Sequence, residues 1–114
     1  MPSPVQKSIK LFKDLGYRVE VTQHWNPYAR VRHDLFGLFD LLGMKDNIVG
    51  IQVTDHAHYA EHIKKAWKSP NLMPWLSAGG RFVIVSYDAR TGKRKISSCE
   101  EGSTDFVEID IEDL

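Results

Sequence analysis

The sequence predicts an α/β domain in which a helix, three strands, a helix and a strand are followed by two outer strands. Three observations support this class. Two long segments carry apolar residues at helical spacing, six segments have the length and pattern of strands, and two of those strands flank a short polar turn. A chain of 114 residues can bury one core. We therefore predict a single domain over residues 1–114, with a core of about 3–88 and a strand extension of about 93–112.

The first helix is marked in the sequence at both of its ends. Ser3-Pro4-Val5-Gln6 has the pattern of a capping box with proline at the first helical position. Ile9 and Phe12 belong to one apolar stripe, and Gly16 is a typical helix end. Residues 17–22 then alternate apolar and polar side chains, which predicts a half-buried strand.

The next segment, from His24 to His33, is rich in groups that suit nucleic acid. Proline breaks regular structure there, so we predict a loop. Arginine offers forked donors for phosphate, and aromatic faces can stack on bases. The alternative is that the aromatic residues only cover the rim of the core. With two histidines of the second helix, the nucleic-acid-binding candidates are His24, Trp25, Asn26, Arg30, Arg32, His58 and His62.

A β-hairpin is predicted from two apolar runs, residues 35–44 and 48–54, which a polar turn separates. Asp40 and Gln52 interrupt these runs at equal distances from Asp46, so a simple antiparallel hairpin sets them opposite each other. Opposed side chains have Cβ atoms roughly 4.5–5.5 Å apart, close enough to share one metal ion. An ionisable group on so apolar a strand is costly unless something pairs with it. Asp40 is therefore the centre of the candidate site.

The remaining elements follow in order, and several of their ends are marked by residue type. Asp55 is a suitable N-cap for the second helix, and Pro70 follows its end. The strand after the Gly79-Gly80 break is apolar enough for the middle of a sheet. The predicted bounds are a helix at 56–68, a short helix at 72–78, a strand at 81–87, and outer strands at 93–99 and 104–111.

The formal net charge of zero conceals a gradient along the chain. From Glu100 onward there are seven acidic residues and no basic one, so residues 1–99 carry a net charge of about +7. A basic body favours a polyanionic partner such as DNA. The alternative is that the acidic segment simply balances the charge.

Other classes of protein are disfavoured by composition. The single cysteine, Cys99, allows no internal disulfide and no cysteine-based zinc site. The first residues lack an apolar leader and no apolar run approaches membrane-spanning length, so we expect an intracellular, cytoplasmic protein without membrane association. Residues 58–62 match the H-x-x-E-H pattern of inverted zincins, but three fixed positions are weak evidence, and a histidine face near phosphate is the preferred interpretation.

The layout resembles the PD-(D/E)XK superfamily, whose restriction-endonuclease-like fold includes Holliday-junction resolvases. The resemblance covers roughly residues 3–88 and is carried by HWNPYARVRHDLFGLFDLLGM, GIQVT and HIKKA, which look like segments of small, mostly phage-borne proteins of this fold. It implies an α-β-β-β-α-β core with a central mixed sheet, helices on its sides and extra C-terminal strands. It also implies a protein that works inside a bacterial host.

The resemblance assigns roles to individual residues. Asp40 corresponds to the metal-binding aspartate, and Gln52-Val53-Thr54 occupies the position of the (D/E)-x-K triplet. Asp40, Gln52 and the main-chain carbonyl of Val53 would hold Mg²⁺ or Mn²⁺, since a hard cation prefers oxygen ligands. The cation activates a water molecule that attacks the phosphodiester, and the catalytic residues are expected to be Asp40, Gln52, Thr54 and Lys65.

Two departures from the family pattern affect these roles. Thr54 stands where the family has lysine, and a hydroxyl cannot supply the positive charge. Lys65, on the following helix, is the preferred replacement for that lysine. Gln52 leaves the site one negative charge poorer, which Asp34 or Asp55 could supply. In a straight strand Asp34 would lie ~20 Å from Asp40, so only a bend near Gly37 would bring it close.

The function implied by the resemblance is hydrolysis of DNA phosphodiesters by a metal-dependent endonuclease that acts on branched or junction DNA. The alternative is a catalytically inactive module of the same fold that binds nucleic acid or protein. We expect a homodimer, as is common for small nuclease-fold proteins, and no small-molecule cofactor.

Overall fold

Residues 2–114 are described by a computed structural model in which a mixed six-stranded sheet carries helices on both faces. Across the sheet the strands are Arg18–Val21, Leu41–Met44, Ile48–Asp55, Gly80–Tyr87, Arg94–Cys99 and Val107–Ile109, in that order; the third and fourth are parallel and the other neighbours antiparallel. The predicted mixed α/β class is thus confirmed. The elements are α1 (Pro4–Asp14), β1 (Arg18–Val21), β2 (His24–Asn26), β3 (Val31–His33), β4 (Leu41–Met44), β5 (Ile48–Asp55), α2 (Tyr59–Lys68), α3 (Leu72–Ser77), β6 (Gly80–Tyr87), β7 (Arg94–Cys99) and β8 (Val107–Ile109).

The two faces of the sheet hold separate apolar clusters because successive side chains of a strand point to opposite sides. On β5, Val49, Ile51 and Val53 face α1 and pack with its buried Phe12. The other face packs against α2 and α3, whose buried contributions are Ala66, Leu72 and Leu76. Two glycines let rings approach the sheet on this second face. A Cβ on Gly50 would lie 2.3 Å from the Phe39 ring, and one on Gly80 would lie 2.3 Å from that of Trp75.

The first helix begins and ends where the sequence predicts. The Ser3 hydroxyl accepts from the Gln6 N–H at 3.2 Å, and the Gln6 side chain accepts from the Ser3 N–H at 2.8 Å. Gly16 follows with a φ of 95°, a left-handed conformation that glycine adopts without strain. The second helix starts later than predicted. Asp55 caps a single 3₁₀ turn over His56–His58, and the α-helix begins only at Tyr59.

The prediction of a loop between His24 and His33 is wrong, because β2 and β3 pair there as a separate antiparallel hairpin. The Asn26 side-chain oxygen accepts from the N–H groups of Tyr28 and Ala29 at 3.0 and 3.1 Å. This side-chain turn reverses the chain, and Arg30 completes the reversal with a φ of 55°. The proline therefore lies in the connection between two strands.

The predicted strand over 35–44 is also too long, since only Leu41–Met44 forms β4. Phe36 and Gly37 both have positive φ, of 55° and 69°, and the Leu38 N–H donates to the Leu35 carbonyl at 3.0 Å. These values describe a tight two-residue turn in which both central residues are left-handed. A continuous strand is impossible through such a turn.

The C-terminal part of the sheet is shorter than predicted. The outer strand β7 spans Arg94–Cys99 as expected, whereas β8 is limited to Val107–Ile109 rather than 104–111. Cys99 is buried at the end of β7, and burial raises the pKa of its thiol. Within residues 2–114, no helix has the length and hydropathy that crossing a bilayer requires.

Candidate functional site

Asp40, Gln52 and Val53 meet beside β5, just before β4 begins at Leu41. The β4–β5 register pairs Leu41 with Ile51, so the predicted opposition of Asp40 and Gln52 would be the next step of the ladder. The chain bends at this step. The Asp40 N–H donates to the Ile51 carbonyl at 3.1 Å, and the Asp40 carboxylate accepts from the Val53 N–H at 3.3 Å. Because β4 begins only at Leu41, a side-chain oxygen of Asp40, and not a main-chain carbonyl of β4, accepts from the Val53 N–H.

Gln52 turns its amide toward the same point. Its Nε2 donates to the carbonyl of Val53 at 3.3 Å. Both main-chain groups of a strand residue point to the same side of the strand, so the Val53 N–H and C=O lie next to each other. The three oxygen-bearing groups that the resemblance implies as ligands are therefore neighbours. Because Gln52 uses its amide nitrogen in this contact, the oxygen end of the amide is left for another partner.

The Asp40 carboxyl is in an unusual electrostatic environment. Its side chain is only 5% exposed. Burial is the main cause that raises the pKa of Asp40 to about 7, and the nearby charge of Asp34 raises it further. The Val53 N–H and, more weakly, the Lys65 charge act in the opposite direction. No ion pair joins Asp40 to a basic side chain within 4.0 Å anywhere in residues 2–114.

The bend that would bring Asp34 close is present. The left-handed pair Phe36-Gly37 reverses the chain, and Asp34 lies near enough for its charge to affect the pKa of Asp40. The Asp34 carboxylate is held by the Gln23 side chain, whose Nε2 donates to it at 2.9 Å. Gln23 was not singled out by sequence, and nothing in its neighbours signals this role.

Helix α2 adds basic groups above this part of the sheet. Lys65 is exposed, and its charge lowers the pKa of Asp40 and that of His62. The pKa of His62 is lowered chiefly by burial, which favours the neutral form of this imidazole. Thr54 lies two residues beyond Gln52 on the same face of β5, half-buried beside Ser86 of β6.

Asp55 and His58 are hydrogen-bonded to each other. Asp55 Oδ1 accepts from the His58 N–H at 2.9 Å and lies 2.7 Å from His58 Nδ1. This hydrogen bond raises the pKa of His58 and lowers that of Asp55. Asp55 thus caps a helix, and it lies roughly 10 Å along β5 from Gln52, given the rise per residue of a strand. In the part of the chain that the structure describes, no three His, Cys, Asp or Glu side chains form a metal-binding group.

The donor chemistry nevertheless fits a single hard cation. The groups around Val53 are a carboxylate, an amide and a main-chain carbonyl, all of which offer oxygen. A second carboxylate, Asp34, lies within electrostatic range of the first. Burial and the nearby charge of Asp34 both raise the pKa of Asp40, and a divalent cation would offset this unfavourable negative charge.

The nucleic-acid candidates of the first hairpin lie on β2, on β3 and, for Arg30, in the turn that joins them. The rings of His24 and His33 stack with centroids 5.4 Å apart, and Trp25 stands opposite Arg32. Trp25 is 56% exposed, which is inconsistent with a role in covering the core. Asn26 forms the turn and is therefore structural. Since Gln23 precedes β2 directly and binds Asp34, the base of the hairpin adjoins the candidate site.

A further cleft beside the site was not predicted. It has a volume of about 720 Å³ and lies between the Phe36 turn and the basic face of α2. The helical spacing of the lysines was visible in the sequence, but the turn that completes the cleft depends on a left-handed phenylalanine, which sequence does not reveal. Its lining residues are Phe36, Gly37, Glu61, Lys64, Lys65, Lys68, Ser69, Pro70 and Asn71.

Comparison with known proteins found no family model that matches this chain and no matching curated protein.

Proposed function

We propose that the protein is a divalent-cation-dependent endodeoxyribonuclease with a restriction-endonuclease-like fold. One observation carries the proposal. A buried carboxyl with a pKa of about 7, Asp40, meets the Gln52 amide and the Val53 main-chain carbonyl at a strand end, with basic groups on the adjacent helix. Perturbed carboxyls in such surroundings are typical of functional sites.

In this proposal Asp40, Gln52 and the Val53 carbonyl hold Mg²⁺ or Mn²⁺. The bound cation supplies Lewis-acid chemistry and a more acidic water at the phosphodiester. Asp34 adds negative charge from nearby, and Lys65 offers the positive charge that Thr54 lacks. The lowered pKa of His62 favours its neutral imidazole, which has a nitrogen that can accept a proton.

The hairpin of β2 and β3 would hold the DNA next to this site. Arg30 and Arg32 are exposed and carry forked donors for phosphate, and exposed Trp25 offers a face for stacking. The expected homodimer and the preference for branched or junction DNA are part of the same proposal.

The second candidate is a module of this fold that binds DNA without cutting it. The observation that favours it is chemical. The described residues include no group of three metal-binding side chains, and Thr54 stands where a lysine would act.

Thermal unfolding in Mg²⁺ or Mn²⁺ separates the two candidates. A bound cation stabilises the folded state by RT ln(1 + [L]/Kd), about 2.7 kcal/mol at a hundredfold excess over Kd. We expect wild type to be stabilised and Asp40→Asn not to be. Asp46→Asn, which removes a carboxylate from the exposed turn of the same hairpin, is the matched control and should behave as wild type.

Incubation with junction, flap, linear and single-stranded DNA in Mn²⁺ then tests cleavage. The nuclease proposal predicts cutting by wild type and Asp46→Asn but not by Asp40→Asn. Equal cutting by all three proteins would reveal a contaminating nuclease and contradict the proposal. Cation-independent DNA binding without cutting would support the second candidate.

A further inference from the structure

Phe36 is an exposed ring on a strained backbone. It is 55% exposed and has a φ of 55°, a conformation that is rare for a bulky residue. Such a strained conformation persists only where the surroundings enforce it. Here Asn71 Nδ2 donates to the Phe36 carbonyl at 2.9 Å, which ties the turn to the start of α3. The fold therefore holds an apolar ring in water at a fixed position.

The ring stands between two concave surfaces of different character. On one side is the basic cleft, where Lys64, Lys65 and Lys68 are exposed on one face of α2 and Glu61 is the only acid of the lining. On the other side is a smaller apolar pocket of about 290 Å³, lined by Phe36, Asn71, Pro74, Trp75 and Ala78.

The wall of the apolar pocket is rigid. Trp75 packs on buried Phe39 with ring centroids 4.8 Å apart, and its Nε1 donates to the Arg81 carbonyl at 3.1 Å. The centroid of Phe36 lies 6.4 Å from that of Trp75. Two aromatic rings thus line a pocket that shares Phe36 and Asn71 with the lysine-lined cleft.

A ligand that fits both surfaces carries repeated negative charges and flat aromatic groups. Single-stranded nucleic acid has this combination, because phosphates can follow a basic groove while bases stack on aromatic rings. A base within a duplex is already stacked and paired, so its face is not available. Lys65 links this cleft to the candidate site, since its charge reaches Asp40.

We propose that the Phe36–Trp75 pocket receives an unpaired base of the DNA, while Lys64, Lys65 and Lys68 bind the phosphates of the same strand. This inference rests on the proposed function and narrows its substrate to DNA with a single-stranded segment beside the cleavage point, such as a flap or an open junction. A continuous duplex would occupy the phosphate groove without filling the pocket.

The test compares the binding of two probes, a blunt DNA duplex and the same duplex with a single-stranded thymidine tail, in EDTA to prevent cutting. Wild type should bind the tailed probe more tightly, by about tenfold for one stacked base. Phe36→Gly, which removes the ring and suits a positive φ, should lose this preference while still binding the blunt duplex. Phe36→Tyr, which keeps a ring, should retain it.

Further variants make the result independent of the Phe36 turn. Ala78→Leu fills the pocket from its far wall and should also abolish the preference. Lys64→Glu combined with Lys68→Glu should lower the affinity for both probes. Lys13→Glu on α1, at the opposite face of the sheet, should leave both affinities unchanged. Circular dichroism establishes that each variant is folded.

Several results would overturn the proposal. These are equal binding of the two probes by wild type, an unchanged preference in Phe36→Gly and Ala78→Leu, or displacement of the tailed probe by polyglutamate as readily as by oligothymidylate. The last result would indicate an acidic peptide as the partner. The proposed function is judged separately, because cation stabilisation that depends on Asp40 does not involve the pocket.

Discussion

At the scale of single residues, the buried carboxyl of Asp40 should make stability depend on pH. Its ordinary pKa of 3.8 applies in the unfolded chain, and the folded value is about 7. Between about pH 4 and pH 7 the folded state therefore binds more protons than the unfolded state, and stability falls as pH rises through this window. The full difference corresponds to roughly 4 kcal/mol.

Asp40→Asn should remove this dependence, because an amide does not titrate but can still accept from the Val53 N–H. We expect urea unfolding without metal to show that the variant is more stable than wild type at about pH 8 and similar to it at about pH 4. Other groups, such as His62, contribute equally to both proteins and cancel in the difference. Parallel pH profiles would mean that the charge is not destabilised in the folded state.

Mg²⁺ should reverse the sign of this comparison above pH 7. A cation competes with the proton for Asp40, so its stabilising effect on wild type should increase as pH rises through about 7 and vanish below the ordinary pKa of the carboxyl. Thermal unfolding in Mg²⁺ and in EDTA at several pH values measures this directly. A metal effect that does not change with pH would place the cation elsewhere.

At the scale of elements, the β2–β3 hairpin is the best candidate for contacts with DNA. Charge reversal at Arg30 or Arg32 should weaken binding to all sequences alike, because phosphate contacts carry no sequence information. Each lost contact should also reduce the slope of log K against log salt concentration by roughly 0.9. Titrations at several salt concentrations, with Lys13→Glu as control, measure both effects. Loss of affinity for one sequence only would indicate contacts with base edges instead.

Elements with a local signal could be predicted from sequence. The first helix is specified by Ser3 and Gln6 at one end and Gly16 at the other, and these contacts are all within a few residues. The register of β4 and β5 followed from the symmetry of the apolar runs around Asp46. Consequently the proximity of Asp40 and Gln52 could also be predicted, whereas the role of Val53 came only from the family resemblance.

Features that depend on unusual backbone conformations could not be predicted from the sequence. Arg30 and Phe36 both adopt a positive φ, although neither residue type favours it. The first completes an unpredicted hairpin, and the second ends a predicted strand and creates the basic cleft. The local turn made by the Asn26 side chain enforces the conformation of Arg30. A distant side chain enforces that of Phe36, because Asn71, which binds its carbonyl, lies 35 positions away.

At the scale of the whole molecule, stability should be graded from the centre of the sheet outward. Strands β5 and β6 are paired on both edges and covered on both faces, so their amides should open only with global unfolding. The β2–β3 hairpin lies outside this sheet and exposes most of its side chains. Hydrogen exchange followed by NMR should find its amides among the fastest. Equal protection of the hairpin and β6 would show that the hairpin is coupled to the core.

The charge gradient along the sequence becomes a gradient across the sheet. The acidic segment includes β8, at the far edge, whereas the candidate site lies between β4 and β5. Three strand spacings separate β5 from β8, roughly 14 Å. This exceeds the Debye length of about 8 Å at physiological ionic strength, so the acidic segment should not repel a polyanion at the site.

The single cysteine has a practical consequence for labelling the β2–β3 hairpin. Cys99 is 1% exposed and its thiol has a raised pKa, so it offers little thiolate to maleimide reagents. A second cysteine placed at Tyr28, which is 96% exposed at the hairpin tip, would therefore accept a fluorophore alone. The protein is thus already suited to labelling at one chosen position without first removing its native thiol.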